Sequence, residues 1–398
     1  MVTIPVKHAP NSAEVARTCL IKKRKKKIGG YFNRLPCEIL HKIALTLPFS
    51  SIKHLRSSSK FWYNLVTDPE FVNLHFTCAI QKPPGSLFTA QCIKSRRTKL
   101  NCYFLEQSGA HVSTSKIFEY SSTCWSTCRF RCQSSGGLVC VYSKESNCFR
   151  VFNPDIREVV QVSDFPKPEN WFQLESFLFG YSPSTNEYKI LEISTLNGGS
   201  KTVGAITTLG SNIWRDIKNV PPYIIKSTTE CQGNLFWIDA YGSNVVSFDL
   251  ASEKFHKIPG PPRDVIYYKH ICSVDSLSET LVSMSHTIGY VWKGRLWVLE
   301  DKIKGIWVKR YDFSVPSLYK HYRFIVISEN DGALFGHVEN SVNVFSHDMG
   351  CTDFRLMKMN LKEPRGIVAP TWVSYITRHV RSLVSPVRIM ENGSQSNS

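Results

Sequence analysis

The sequence has no run of about 18 consecutive apolar residues, and its N-terminus lacks the apolar stretch that a secretory signal needs. These two absences predict a soluble, intracellular chain that does not cross a membrane. The sequence also has no CxxC pair, and its 13 cysteines are an odd number scattered along the chain. This usage is typical neither of a disulfide framework nor of a zinc finger, so we expect reduced thiols.

Catalytic motifs are absent as well, since the chain contains no HExxH, GxxxxGK[ST], GxSxG or GxGxxG pattern. We therefore expect a non-catalytic protein without cofactor. A hydrolase remains a distant alternative, because glycosidases built from β-sheets use dispersed carboxylates that leave no motif. Its candidate carboxylates are Asp239, Glu300, Asp301 and Asp331.

One group of cysteines has a regular spacing. Cys124, Cys128 and Cys132 lie at i, i+4 and i+8, and His111 upstream is a possible fourth zinc ligand. The spacing would place the three thiols on one face of a helix, but the Ser/Thr-rich surroundings and the pattern near Phe130 indicate a strand. We therefore expect isolated thiols and no metal site.

The positive charge is concentrated at the N-terminus. Net charge is 49 − 32 = +17, of which residues 1–100 carry 18 − 4 = +14 and residues 101–398 carry 31 − 28 = +3. Residues 1–30 contain few large apolar side chains, which predicts a disordered basic tail. Its basic run has three interpretations: a solvated tail, a nuclear localisation signal, which we favour, or a nucleic-acid arm, which no accompanying motif supports. The run is Lys22, Lys23, Arg24, Lys25, Lys26 and Lys27.

A small helical module follows over residues 31–76. Apolar residues recur from Leu35 to Leu47 with helical spacing, and Pro36 suits a first turn, which predicts a helix over about 36–46. A second helix is expected after Pro48, capped by Ser50 or Ser51, and a third over Lys60 to Val66. Three short helices expose more apolar surface than they can bury among themselves, so the module needs a partner surface or must dock on the rest of the chain.

The rest of the chain is expected to be all-β, over residues 101–378, after a connector at 77–100 and before a flexible C-terminal tail at 379–398. Short strands alternate with turn residues about every ten positions. Phe152–Glu158 and Phe248–Phe255 share a strand-turn-strand pattern 96 residues apart, a distance that fits two propeller blades of 40–50 residues each.

Four further segments have the same pattern of a Gly-containing turn that enters an apolar strand. They are Gly136–Cys140, Gly233–Trp237, Lys293–Trp297 and Asp331–Phe335. The repeat favours a β-propeller-like domain over a β-sandwich, which rarely shows similarity of such long period. Recurring tryptophans, among them Trp214, Trp237 and Trp307, are expected to pack between blades.

The helical module resembles an F-box in the order and spacing of its residues. The residues that carry this resemblance are Leu35-Pro36-Cys37-Glu38-Ile39-Leu40, Ile43, Leu47-Pro48, Ser51-Ile52, Leu55-Arg56, Ser59-Lys60, Trp62 and Asp68-Pro69-Glu70-Phe71. The β domain resembles the F-box-associated, kelch- or propeller-like domain of plant F-box proteins. The segments that carry the second resemblance are Gly136–Cys140, Phe152–Glu158, Phe179-Gly180-Tyr181-Ser182-Pro183, Asn186-Glu187-Tyr188-Lys189, Leu209-Gly210-Ser211, Trp214-Arg215 and Phe248–Phe255.

The resemblance implies the substrate receptor of an SCF-type cullin ubiquitin ligase, located in the nucleus or cytoplasm. Its F-box would bind a Skp-type adaptor and through it a cullin, and its β domain would capture a protein target. Ser58 stands where the family usually has an apolar residue, so a weakened core contact is expected at this position. A non-catalytic nuclear propeller scaffold is the alternative, and adaptor binding distinguishes the two. The implied adaptor-binding residues are Leu35, Pro36, Ile39, Leu40, Ile43, Leu47, Pro48, Leu55 and Trp62.

Overall fold

The structure is a computed structural model. The residues that it describes are 35–82, 85–94, 97–108, 111–122, 131–143, 148–163, 176–196, 201–211, 213–221, 228–238, 244–262, 270–277, 280–287, 292–315, 322–328, 333–338, 343–348, 354–358 and 371–396. The chain divides into two compact units, Met1–Leu47 and Pro48–Ser398. The basic run and the expected tail at 1–30 lie outside the described residues.

Four helices precede the first strand in the described part of the chain. They are α1 (Cys37–Thr46), α2 (Phe49–Ser58), α3 (Lys60–Val66) and α4 (Pro69–Ile80). Prolines stand at the N-caps of α1 and α2, whereas the Ser59 hydroxyl oxygen accepts the Trp62 N–H at the start of α3. The expected cap of α2 at Ser50 or Ser51 is therefore wrong. Pro48 is the N-cap residue and α2 begins at Phe49, so both serines lie inside the helix.

Helix α4 is missing from the sequence-based prediction of three helices. The Asp68 carboxylate accepts the Glu70 N–H at 2.9 Å, and Pro69 occupies the first helical position. An Asp N-cap followed by Pro is a strong helix start. The expected connector at 77–100 is also wrong, because α4 continues to Ile80 and strand structure begins at Gly85.

Twenty-four strands in the described residues form six antiparallel four-stranded sheets. Sheet 1 contains β1 (Gly85–Lys94), β2 (Arg97–Ser108), β3 (His111–Ser122) and β24 (Thr371–His379); sheet 2 contains β4 (Arg131–Ser135), β5 (Leu138–Ser143), β6 (Cys148–Asn153) and β7 (Glu158–Ser163). Sheet 3 contains β8 (Ser176–Ser182), β9 (Glu187–Leu196), β10 (Lys201–Thr208) and β11 (Trp214–Ile217); sheet 4 contains β12 (Thr228–Cys231), β13 (Asn234–Ile238), β14 (Asn244–Asp249) and β15 (Lys254–Pro259). Sheet 5 contains β16 (His270–Leu277), β17 (Thr280–Thr287), β18 (Trp292–Asp301) and β19 (Ile306–Val315); sheet 6 contains β20 (Tyr322–Ser328), β21 (Ala333–Val338), β22 (Asn343–Asp348) and β23 (Phe354–Lys358).

Sheets 2 to 6 each pair their strands in chain order, and sheet 1 alone combines strands from both ends of the β region. Its strand order is β24-β1-β2-β3, so β24 pairs with β1. Consecutive sheets meet through their first edge strands: β4 lies beside β8, β12 beside both β8 and β16, and β24 beside both β4 and β20. Side chains connect these edges, since the Gln133 amide on β4 donates to the Phe177 carbonyl on β8 and to the Thr228 hydroxyl on β12.

The two repeat segments occupy equivalent places in sheets 2 and 4, which confirms the repeat. In sheet 2 the Arg157 N–H donates to the Asn153 carbonyl between β6 and β7, and Arg157 has φ +63°. In sheet 4 the Glu253 N–H donates to the Asp249 carbonyl between β14 and β15, and Glu253 has φ +57°. Sheet 3 lies between them, so the 96-residue separation corresponds to two sheets.

The structure has the predicted glycine turn at two of the four positions. Gly137, with φ +77°, lies between β4 and β5, and Gly233, with φ +73°, lies between β12 and β13. Gly294 is instead a paired residue inside β18, opposite Phe313 on β19, so that turn is wrong. An isolated Gly in a strand gives the same local pattern as a Gly that begins one. The fourth turn, at Gly332, lies outside the described residues.

Tryptophans connect neighbouring sheets by the same contact at two places. The Trp214 indole N–H on β11 donates to the Ser163 carbonyl of sheet 2, and the Trp307 indole N–H on β19 donates to the Pro259 carbonyl of sheet 4, both at 2.7 Å. Trp237 is buried in a cluster that joins sheets 3 and 4. These three tryptophans therefore pack between sheets as expected, each with an apolar ring against the neighbouring sheet.

The expectation of a flexible C-terminal tail at 379–398 is wrong. Strand β24 ends at His379, which is buried, and the following chain leads into α5 (Pro386–Ser396). The Asn153 side-chain amide, itself buried, donates to the carbonyls of Ser382 and Val384. Leu383 is 5% exposed. Five serines among residues 379–398 give the segment a polar composition that conceals these apolar anchors in the sequence.

Candidate functional site

Helix α1 exposes a stripe of large apolar side chains. Leu35, Ile39 and Ile43 follow one another at four-residue intervals and are 40%, 41% and 36% exposed. Ile39 and Ile43 lie one turn apart on one face of α1, and Leu35 lies just before the Pro36 N-cap of the same helix. The neighbouring side of α1 carries Leu40 and Ala44, which are buried. We call Leu35, Ile39 and Ile43 the α1 stripe.

The structure divides the remaining residues assigned from the F-box resemblance by their exposure. Pro36 and Pro48 are exposed, and Leu47, Leu55 and Trp62 are half-buried. Leu40 is only 2% exposed, so its side chain is not available to a partner. Helical spacing alone does not say which side of α1 is covered.

Two exposed residues of the helices escaped the sequence reasoning. Tyr63 on α3 is 44% exposed and lies beneath the Arg56 guanidinium, whose central carbon is 5.8 Å from the ring centroid. Leu74 on α4 is 46% exposed. The Asp68-Pro69 start signal would have revealed α4 and with it the helical position of Leu74.

Ser58 lies at the end of α2 and is exposed. Its hydroxyl donates to the carbonyl of Leu55 at 2.9 Å, within its own helix. The polar side chain is thus satisfied locally and replaces no core contact in this structure. The expectation that Ser58 weakens a core contact is therefore not supported by its position.

Helices α2, α3 and α4 belong to the same compact unit as the sheets and contact them directly. Arg56 on α2 forms an ion pair with Glu158 at the start of β7, with N and O atoms 3.5 Å apart. Phe76 on α4 is 5% exposed and packs edge-on against Tyr181 at the end of β8, with ring centroids 5.1 Å apart. Phe76 therefore belongs to the hydrophobic cluster between sheets 2 and 3.

A buried charge cluster lies next to these helices. The Asp155 carboxylate, fully buried, pairs with the Arg381 guanidinium at 2.9 Å and lies 3.6 Å from the His379 ring. Burial raises the pKa of Asp155, but His379 and Arg381 outweigh this effect and hold the pKa below its ordinary value. The Arg381 guanidinium also stacks over the Phe49 ring at the start of α2, 4.5 Å from its centroid.

The carboxylates considered for a hydrolase have structural partners where the structure describes them. Glu300 pairs with Arg310 at 3.0 Å on the exposed β18–β19 hairpin. Asp301 accepts the N–H groups of Ile303 and Lys304 and so shapes the turn. Asp239 and Asp331 lie outside the described residues.

The described residues contain no group of three or more His, Cys, Asp or Glu side chains placed to hold a metal ion. Cys132 is buried on β4, where burial raises the pKa of its thiol to about 12. Cys124 and Cys128 lie outside the described residues. Among the helices of the described chain, none has the length and hydropathy of a membrane span.

Comparison with known proteins agrees with the division into helices and sheets. A family model described as F-box associated beta propeller domain matches residues 87–365, and one described as F-box domain matches residues 32–74. An F-box protein of Arabidopsis thaliana is 25% identical over 287 residues, which cover 68% of this chain and 87% of the relative. A second F-box protein of that plant is 26% identical over 351 residues, which cover 84% of this chain and 80% of the relative. An F-box/kelch-repeat protein from the same plant is 22% identical over 253 residues, 58% of this chain and 66% of the relative.

Proposed function

Because the chain belongs to the family of proteins with an F-box associated β-propeller domain, here preceded by an F-box, we propose that it is the substrate-recognition subunit of an SCF-type cullin ubiquitin ligase. The F-box binds a Skp-type adaptor and through it a cullin. The β domain captures the protein to be ubiquitinated. The chain performs no bond chemistry: it raises the effective concentration of the target near the ubiquitin-charged conjugating enzyme.

The α1 stripe is the observation that carries this proposal. Ile39 and Ile43 on one face of α1 and Leu35 just before its N-cap are each at least 36% exposed, and the exposure of this much apolar surface to water is unfavourable. An apolar helix face of this kind is suited to a groove on a protein partner. Pro36, the exposed N-cap of α1, extends the apolar surface available to the adaptor.

The six sheets are the blades of a propeller in this proposal. The contacts between first edge strands and the pairing of β24 with β1 support it, since they join the two ends of the β region. The helices and the C-terminal chain contact turns that follow first and third strands: the β4–β5 turn at Gly137, the β6–β7 turn before Glu158 and the β10–β11 turn at Gly210. We assign target capture to the opposite ends of the strands.

Reconstitution tests the proposed function. The purified full chain is mixed with a Skp-type adaptor, a cullin–RING complex, ubiquitin-activating and conjugating enzymes, ubiquitin and ATP. We expect a stable complex with the adaptor and ubiquitin conjugation to the chain itself, because receptors held at the ligase present their own lysines. Omission of the adaptor should stop the modification. Failure of the adaptor to bind at micromolar concentration would contradict the proposal and leave the nuclear scaffold as the better account.

The basic run Lys22–Lys27 is proposed as a nuclear localisation signal. Six adjacent cations can bind an acidic import receptor groove without folding first. Replacing all six with Ala in a fluorescent fusion should shift the fusion from nucleus to cytoplasm, as measured by imaging. The melting temperature of the chain should not change, which serves as the control. An unchanged distribution would leave only a solvated tail.

A further inference from the structure

The C-terminal segment, defined here as residues 380–396, contacts both the sheets and helices α2–α4. On the sheet side, the Asn153 amide donates to the Ser382 and Val384 carbonyls, and the Ser382 hydroxyl donates to the Gly137 carbonyl. The Ser385 hydroxyl donates to the Glu158 carboxylate, the same carboxylate that pairs with Arg56 of α2. The segment is therefore anchored along sheet 2.

Helix α5 is also anchored on sheet 3. Val384, Ile389 and Met390 pack against the cluster that contains Phe76 of α4 and Tyr181 of β8. Gly393 of α5 faces Gly210 of the β10–β11 turn so closely that a Cβ on Gly393 would come within 2.2 Å of the Gly210 carbonyl oxygen. This approach fixes the position of α5 on the sheet, because backbone atoms cannot move aside as side chains do.

Two arginines of the segment extend from these anchors to the helices. The Arg381 guanidinium lies over the Phe49 ring of α2 at 4.5 Å and over the Phe104 ring of β2 at 4.8 Å. The Arg388 guanidinium donates to the Thr67 carbonyl at 2.5 Å, between α3 and α4. One arginine thus holds the beginning of α2, and the other holds the junction of α3 with α4.

The contacts of Arg381 and Arg388 are of kinds that fix the orientation of α2–α4 on the sheets more than they add to the free energy of unfolding. A buried ion pair such as Asp155–Arg381 contributes little net stability, because desolvation offsets most of the attraction, but it specifies one geometry. The two ring contacts add to that geometry, since the guanidinium is held over both Phe49 and Phe104. Arg388 caps a carbonyl that follows α3 and would otherwise be bound by water.

We propose that Arg381 and Arg388 are positioning residues, through which the C-terminal segment holds helices α2–α4 in one orientation on sheets 2 and 3 and so aims the captured target at the ligase. This inference rests on the proposed function. If α2–α4 are held rigidly on the sheets, particular target lysines have a high effective concentration near the charged conjugating enzyme. If α2–α4 move on the sheets, many different target lysines reach the enzyme, each at a lower effective concentration.

The test compares the full-length chain with the double variant Arg381→Lys, Arg388→Ala. Lysine keeps the charge beside Asp155 but lacks the planar guanidinium, whose Nε and Nη2 both lie against one Asp155 oxygen. Arg310→Ala is the matched control, because it removes an exposed arginine with one carboxylate partner far along the chain on sheet 5. Arg388→Ala alone is a second variant that leaves the buried pair intact, should the double variant fold poorly.

The first readout is amide hydrogen exchange, which needs no ligase. Amides of α2–α4 should exchange about tenfold faster in the double variant, because the loss of one charged hydrogen bond and one stacking contact favours local opening by that factor. Amides of sheets 4 and 5 should be unchanged, and Arg310→Ala should match the unmodified chain. Unchanged exchange in α2–α4 would overturn the proposal.

The second readout is the distribution of ubiquitin over the lysines of the chain in the reconstituted ligase, mapped by mass spectrometry. We expect modification concentrated on a few sites in the unmodified chain and spread over about twice as many in the double variant, with adaptor affinity within about twofold. Faster exchange without a change of sites would show that the arginines only stabilise the helices, and the positioning role would be wrong. Absence of adaptor binding by the unmodified chain would instead refute the proposed function. Hydrogen exchange would then still test whether Arg381 and Arg388 hold α2–α4 on the sheets.

Discussion

Replacing Leu35, Ile39 and Ile43 together with Ala is expected to abolish measurable binding of a Skp-type adaptor to this chain. Leu35, just before the N-cap of α1, is 40% exposed, and Ile39 and Ile43 on one face of α1 are 41% and 36% exposed, so the three supply contact area at no cost to the folded core. Truncation of an apolar anchor residue to Ala costs about 2 kcal/mol or more of binding free energy. Since about 1.4 kcal/mol is a factor of ten, the triple variant should lose at least a thousandfold in affinity, as measured by titration calorimetry.

The control for this experiment is Ile303→Ala. Ile303 is 97% exposed at the tip of the β18–β19 hairpin, so it tests the loss of an exposed apolar side chain remote in sequence from the F-box. We expect Ile303→Ala to bind the adaptor with unchanged affinity. Both variants should melt within a few degrees of the unmodified chain, because neither removes a buried side chain. Adaptor affinity within about threefold of normal in the triple variant would refute the role of the α1 stripe.

Phe76→Ala is expected to destabilise Pro48–Ser398, the compact unit that contains the sheets, and not the helix α4 alone. Phe76 is 5% exposed and packs against Tyr181 in the cluster that sheets 2 and 3 share. Truncation of a buried Phe to Ala costs about 3–5 kcal/mol, since it removes apolar contacts and leaves a cavity. The main thermal transition, followed by the circular dichroism of the sheets, should therefore move to lower temperature.

Leu74→Ala on the same helix is the matched control. Leu74 is 46% exposed, so its truncation should change the free energy of unfolding by no more than about 0.5 kcal/mol. If α4 were an independent domain, Phe76→Ala would shift a separate, minor transition and leave the transition of the sheets unchanged. That outcome would contradict the shared core.

Local sequence signals predicted the elements whose formation depends on neighbouring residues. The repeated turns at Asn153–Arg157 and Asp249–Glu253 were visible because each closes by a hydrogen bond within five residues. Helix α1 was visible because its apolar residues recur with helical spacing and Pro36 precedes them. Helix α4 had an equally local signal in Asp68-Pro69 that the three-helix prediction overlooked. The turn predicted at Gly294 is wrong because a Gly inside a strand and a Gly at the start of a strand give the same local sequence pattern.

Long-range contacts decided what the local signals could not. The expected C-terminal tail is ordered because Asn153, more than 200 residues earlier, binds its carbonyls, and because Ile389 and Met390 pack on a core built from other segments. Likewise Phe76 reads as one apolar residue of a helix until Tyr181 is placed against it. A partner distant in sequence leaves no periodic pattern in the segment that it orders, so composition alone predicted flexibility.

The amino-acid sequence thus determined the F-box helices, the β class of the remaining chain, its repeat and the family to which it belongs. Those features follow from propensity, periodicity and turn chemistry, each of which acts over a few residues. Which side of α1 stays exposed, and how the C-terminal segment joins α2–α4 to sheets 2 and 3, was decided only by the tertiary structure. Burial is a property of the whole packed chain: Leu40 and Ile39 are adjacent apolar residues, yet one is 2% and the other 41% exposed.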